Sequence, residues 1–195
     1  MFDDYRDASG RRWRGISVNR RFAQNVLRWL TFQDLPTGTV DEVAGLVHAL
    51  VHQIEVGLHD IVTTVLKAEF GERWWYEGLP EGVRLPASDR HEIERGQAPK
   101  EAYLDLVHYK DVIEKRWRLF EPYFLVGGLK DKAAATGWID RVNELRRRDA
   151  HAVRRMYQPF QATEVDELRH HARHVSRVRE QVAKALGRPV GQPLH

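Results

Sequence analysis

Leu145-Arg146-Arg147-Arg148-Asp149-Ala150-His151 sets guanidinium groups and an imidazole within about a turn of one another. Imidazole moves protons near neutral pH, and guanidinium grips phosphate oxygens in a two-pronged fork. Residues of these two types at this spacing suit phosphodiester chemistry. On a straight helix a separation of five residues turns through roughly 140°, so Arg146 and His151 would stand on different faces. Arg147 and His151, four apart, would share one. Pairing Arg146 with His151 therefore requires a bend, a frayed helix end, or two copies of the segment meeting across a dimer. Asp149 falls on the apolar stripe of Trp138, Val142 and Leu145, which predicts a half-buried carboxylate able to orient a guanidinium. An exposed arginine-rich helix carrying an incidental histidine would present the same seven residues.

Other constellations carry less. His48, His52, Glu55 and His59 follow one another at steps of four, three and four, which lines them along one helix. Helical bundles hold metals with such ligands, but a facing helix must supply the rest. The candidates for that are His108 and the group His170, His171 and His174. A polar flank bordering the core explains the same spacing, and a solvated helix face explains the later histidines. Trp74, Trp75 and Tyr76 could stack on bases, or could form a lid on the bundle. Gly127-Gly128-Leu129-Lys130 lacks phosphate-loop spacing and follows no strand. The chain has no cysteine, which removes disulfides, thiolate metal sites and a cysteine nucleophile. Nothing resembles a Ser-His-Asp arrangement.

The elements that must position these groups all read as helices. The apolar set Val43, Val47, Leu50, Ile54, Leu58, Ile61 and Val65 keeps the helical period from 40 to 70, with Thr39 and Glu42 as a capping box and Gly71 at the exit. Residues 71–99 read as a connection with a short helix over 89–95. A further helix is expected over 100–121, carrying Leu104, Val107, Ile113, Trp117 and Phe120, and turns over 122–135. Trp138, Ile139, Val142 and Leu145 open a helix near Thr136 that Pro159 ends. The last helix is expected from Thr163, capped with Asp166, to Gly187. No segment alternates as a strand would. The fold class is all-α: four main helices in a bundle over 37–188, preceded by a basic arm over 1–36 with one short amphipathic helix.

Charge is segregated within a net +3. Residues 1–38 hold seven basic and four acidic side chains, 39–140 hold twelve and eighteen, and 141–195 hold twelve and six. An acidic body between basic ends suits a polyanionic partner. Hydrophobic residues at 42% and charged residues at 30% are ordinary for a globular domain. No apolar run reaches the roughly 18 residues of a membrane span, and Met1-Phe2-Asp3-Asp4 lacks a secretory pattern, so a cytoplasmic protein is expected.

Three segments in order resemble the HEPN superfamily of small helical bundles, whose name stands for higher eukaryotes and prokaryotes nucleotide-binding. These are Glu55-x-x-Leu58-x-x-Ile61 with Phe70-Gly71-Glu72-Arg73-Trp74-Trp75, then Tyr103 through Phe120, then Leu145-Arg146 through Ala150-His151. The similar branch includes the HEPN domain of a nuclear transcript-surveillance endoribonuclease and bacterial relatives, some in toxin or phage-defence loci. The resemblance covers about residues 40–160. It implies metal-independent RNA cleavage without a cofactor, in which the 2′-hydroxyl attacks the neighbouring phosphate and leaves a cyclic phosphate. Arg146, His151 and Glu55 would be the catalytic residues, with His151 moving protons and Arg146 stabilising phosphate charge. Arg147, Arg148, Arg154 and Arg155 would bind the RNA backbone. The resemblance also implies a homodimer through the helix carrying Arg146 and His151, and an antitoxin or effector as a further partner. Arg147 stands where relatives often have asparagine, and Val153 where many toxin members have tyrosine. Those departures favour the alternative of a non-catalytic module that binds nucleic acid or a partner protein.

Overall fold

A stripe of seven apolar residues at helical spacing gives one unbroken helix, α1 (Val40–Phe70), and all seven are buried. The computed structural model describes residues 40–125 and 131–187. The arm over 1–36 and the expected Thr39 cap lie outside them. Gly71 leaves α1 with φ +56°, a left-handed conformation that glycine adopts without steric cost. A single 3₁₀ turn (Gly71–Arg73) and a π turn (Trp74–Gly78) follow. They bury Trp74 and Trp75 edge to face while Tyr76 stays exposed, so two of the three aromatics close the bundle end.

The next helix, α2 (Glu81–Ile93), is longer and earlier than the expected 89–95. Pro80 sits at its N-cap, where no amide donor is needed, and Pro86 lies inside it. Val83 and Ala87, both fully buried, hold the helix against the body despite that interior proline.

The helix expected over 100–121 is three pieces: a 3₁₀ turn (Lys100–Tyr103), α3 (Leu106–Lys115) and α4 (Trp117–Phe124). Asp105 caps α3 reciprocally with His108. The break falls at Arg116, whose guanidinium donates to the Gly78 carbonyl at 2.9 Å and to that of Glu77. Those bonds satisfy carbonyls at the end of the π turn. Phe120 and Phe124 of α4 are fully buried, each contributing about 1.5–3 kcal/mol of burial.

After α5 (Lys132–Thr136), α6 (Trp138–Asp149) presents Ile139, Val142 and Leu145 to the core. It stops at Asp149, ten residues before Pro159, and a separate short helix, α7 (Ala152–Tyr157), follows. The last helix, α8 (Ala162–Ala185), is capped by Gln161 and Glu164, two residues earlier than the expected Thr163–Asp166 pair. It runs along α1 in the same direction, with Gln53 facing Ser176 and Asp60 paired to Arg179 at 2.7 Å. Among the described residues every regular element is helical, as an all-α bundle requires. No helix there is long and apolar enough to cross a membrane.

Candidate functional site

The C-terminal end of α6 is where the arginine-rich segment meets the rest of the bundle. Leu145 is fully buried and anchors the helix, which sets the direction of each following residue. Asp149, four positions on, is 7% exposed, as its place on the apolar stripe predicts. Its carboxylate accepts the Arg155 guanidinium on Oδ1 at 3.0 Å and His48 Nδ1–H on Oδ2 at 3.0 Å. Arg155 also donates to the Asp149 carbonyl at 2.8 Å, covering an acceptor that the helix end leaves free. One buried carboxylate therefore ties α1, α6 and α7 together.

The helix breaks at Ala150 and His151. His151 is extended, with φ −114° and ψ 95°, and stands at the N-cap of α7. The bend that pairing Arg146 with His151 needs is thus present within a single chain. His151 and Arg147 are exposed, as is Arg154 on α7, and none of their side chains has a hydrogen-bond or ion-pair partner among the described residues. Arg146 is half-buried, with Nε 3.4 Å from the Asn143 side-chain oxygen.

The other two arginines are occupied within the fold. Arg155 holds Asp149. Arg148 pairs with Glu164 at the start of α8 and lies over the Phe160 ring, 4.6 Å from its centroid. Arg141 joins the same clamp, reaching Glu144 at 2.7 Å, Glu164 at 2.9 Å and Glu167 at 3.3 Å. Burial alone would raise the Glu164 carboxyl, but Arg148, the Gln161 amide and Arg141 outweigh it and hold it below its ordinary value. The contacts of Arg155 hold α7 to α6 and those of Arg148 hold α6 to the start of α8, and Arg147 and Arg154 have no partner among the described residues.

Glu55 stands on α1, seven residues after His48. It is half-buried beside Tyr109, whose hydroxyl is pushed up mainly by burial and then by the charge of Glu55. No hydrogen bond or ion pair joins Glu55 to Arg146 among the described residues. Its neighbour His59 donates Nδ1–H to the Tyr109 hydroxyl at 3.1 Å, and that hydroxyl donates to the Leu104 carbonyl at 3.0 Å. Burial lowers the His59 imidazole below its ordinary value, and Asp60 and Glu101 only partly oppose this.

The histidine stripe of α1 therefore divides, with His48 turned to Asp149, His59 to Tyr109 and His52 left exposed. No group of three or more His, Asp or Glu side chains that could hold a metal ion occurs among the described residues. Trp138 stacks on His171 at 4.8 Å and meets His174 edge-on, so that pair belongs to the α6–α8 packing. His48 is the residue that spacing alone did not single out. Its helical line was visible, but its partner lies 101 positions away. No protein-family model, curated protein or solved structure matches the chain.

Proposed function

We propose that this chain is a HEPN-like endoribonuclease that cleaves RNA without a metal, through 2′-hydroxyl attack to a cyclic phosphate. The observation that carries the reading is the helix break after Asp149. It leaves His151 exposed, four residues after Arg147 and three before Arg154, whose guanidiniums are unpartnered among the described residues, on a backbone held through the buried Asp149 carboxylate. An imidazole with solvent access supplies proton transfer, and guanidiniums with no partner among the described residues are available to phosphate oxygens. Arg146, half-buried and held only by a long contact to Asn143, would stabilise charge on the reacting phosphate. A homodimer across α7 would cover Val153, Met156 and Tyr157, which are 69%, 64% and 60% exposed on that six-residue helix. A toxin or defence setting and an antitoxin partner rest on the resemblance alone.

The test is incubation of purified wild type and His151→Ala with mixed RNA in EDTA, followed by analysis of the ends. Cyclic-phosphate ends made only by the wild type are expected. RNA binding without cleavage would transfer the reading to a non-catalytic module. Equal cleavage by both proteins would remove His151 from the site.

A further inference from the structure

His48 shares the geometry of a catalytic imidazole more fully than any other histidine among the described residues. The Asp149 carboxylate can only accept, so the 3.0 Å contact to Nδ1 fixes the proton on that nitrogen. Nε2 of the neutral ring then carries the lone pair. Arg155 occupies the other carboxylate oxygen, so the orienting group is itself held. Asp149 is buried, with its side chain 6% exposed, while the His48 side chain is 77% exposed. A buried carboxylate behind an open imidazole is the arrangement that fixes a tautomer and stabilises the imidazolium formed on proton uptake. His151 follows Asp149 by two residues, so their Cα atoms are at most about 7 Å apart. Asp149 thus bonds one exposed imidazole through its side chain and lies two residues from the other along the chain.

Resting on the ribonuclease reading above, we propose that His48 is a second catalytic residue, the general base, with Asp149 as its positioning residue and His151 as the general acid. Nε2 of His48 takes the proton of the ribose 2′-hydroxyl as the oxygen–phosphorus bond forms. The phosphorus–O5′ bond breaks, and O5′ takes a proton from the His151 imidazolium. The products are a 2′,3′-cyclic phosphate and a 5′-hydroxyl. Proton return through water from His48 to His151 restores the site. Among the described residues the charged groups bonded to His48 are Asp149 directly and Arg155 through it.

The experiment compares wild type, His48→Ala and His151→Ala on two oligonucleotides built on the RNA sequence that the wild type cuts fastest. One is ordinary RNA, and the other has sulfur in place of O5′ at the scissile bond. A thiolate leaves without protonation, so the sulfur substrate needs the base but not the acid. On ordinary RNA each variant is expected to lose about 10²–10⁴-fold in kcat, the usual contribution of a positioned acid or base, with KM little changed. On the sulfur substrate His151→Ala should return to within about tenfold of wild type, while His48→Ala should stay at least about a hundredfold slower. Asp149 keeps Arg155 when His48 is removed, so His48→Ala should lower the melting temperature only modestly, and all rates are compared well below it. As a readout of position, ¹⁵N NMR of the neutral His48 ring should show a protonated Nδ1 in wild type and lose that signature in Asp149→Asn.

Wild-type activity that needs His151 but survives His48→Ala would overturn this proposal and leave the ribonuclease reading standing. Rescue of His48→Ala by sulfur would overturn its role as base. No cleavage of RNA by the wild type would overturn both readings together.

Discussion

Gly57 is where a single missing methyl group lets two helices meet. A Cβ built there would stand 2.4 Å from Cγ1 of Val175 on α8. Valine is stiff about χ1 and Val175 is buried, so the clash cannot be swung away cheaply. Alanine would gain about 1 kcal/mol of helix propensity over glycine, and overpacking costs typically about 1–3 kcal/mol. With so short a contact the overpacking wins, and Gly57→Ala should unfold at lower urea than wild type. In a Val175→Ala background the same change should be neutral or stabilising, and equal losses in both backgrounds would show that this contact is not the cause. Single residues were legible in the sequence to differing degrees. The burial of Asp149 followed from its place on an apolar stripe, and so did its hold on a guanidinium. That the guanidinium is Arg155, and that His48 shares the carboxylate, depends on how α7 turns back and on which face of α1 meets α6. Spacing along the chain carries neither.

Elements were legible where a period runs between punctuation, and hidden where a break leaves the period intact. α1 ends where its stripe and Gly71 place its exit. The breaks at Arg116 and at Ala150–His151 leave apolar spacing undisturbed, because polar contacts of the neighbouring turns make them. At the second break, Arg148 and Arg141 converge on Glu164 and lock α6 to the start of α8. The folded state favours the Glu164 carboxylate, since its folded value lies below the ordinary 4.5. The clamp therefore contributes fully above about pH 4.5 and is lost as pH falls through the lower folded value. Glu164→Gln should melt below wild type at neutral pH, and the gap should close as the pH is taken below about 4. Melting curves that stay equally far apart at every acidic pH where both proteins still fold would mean that the charge on Glu164 does not matter to the clamp.

At the scale of the whole molecule, residues 141–195 carry twelve basic and six acidic side chains and follow an acidic central stretch of the sequence. Composition made that asymmetry plain, but gave no means of sorting arginines that bind outward from arginines spent inside. The structure separates them, with Arg148 and Arg155 engaged and Arg147 and Arg154 unpartnered among the described residues. For a polyanion the distinction is measurable, because each phosphate neutralised releases counterions and steepens the salt dependence of binding. In a His151→Ala background, to prevent cleavage, binding of mixed-sequence single-stranded RNA would be followed by fluorescence anisotropy at several salt concentrations. Replacing Arg147 or Arg154 by alanine should each lower the slope of log K against log salt by about 0.7. Arg148→Ala should leave that slope alone and lower the melting temperature instead, since it removes the Glu164 pairing and the contact with Phe160. A slope that falls equally in all three variants would mean that the clamp opens on RNA. Arg148 would then change partners, and binding to α8 and binding to RNA would compete for the same guanidinium.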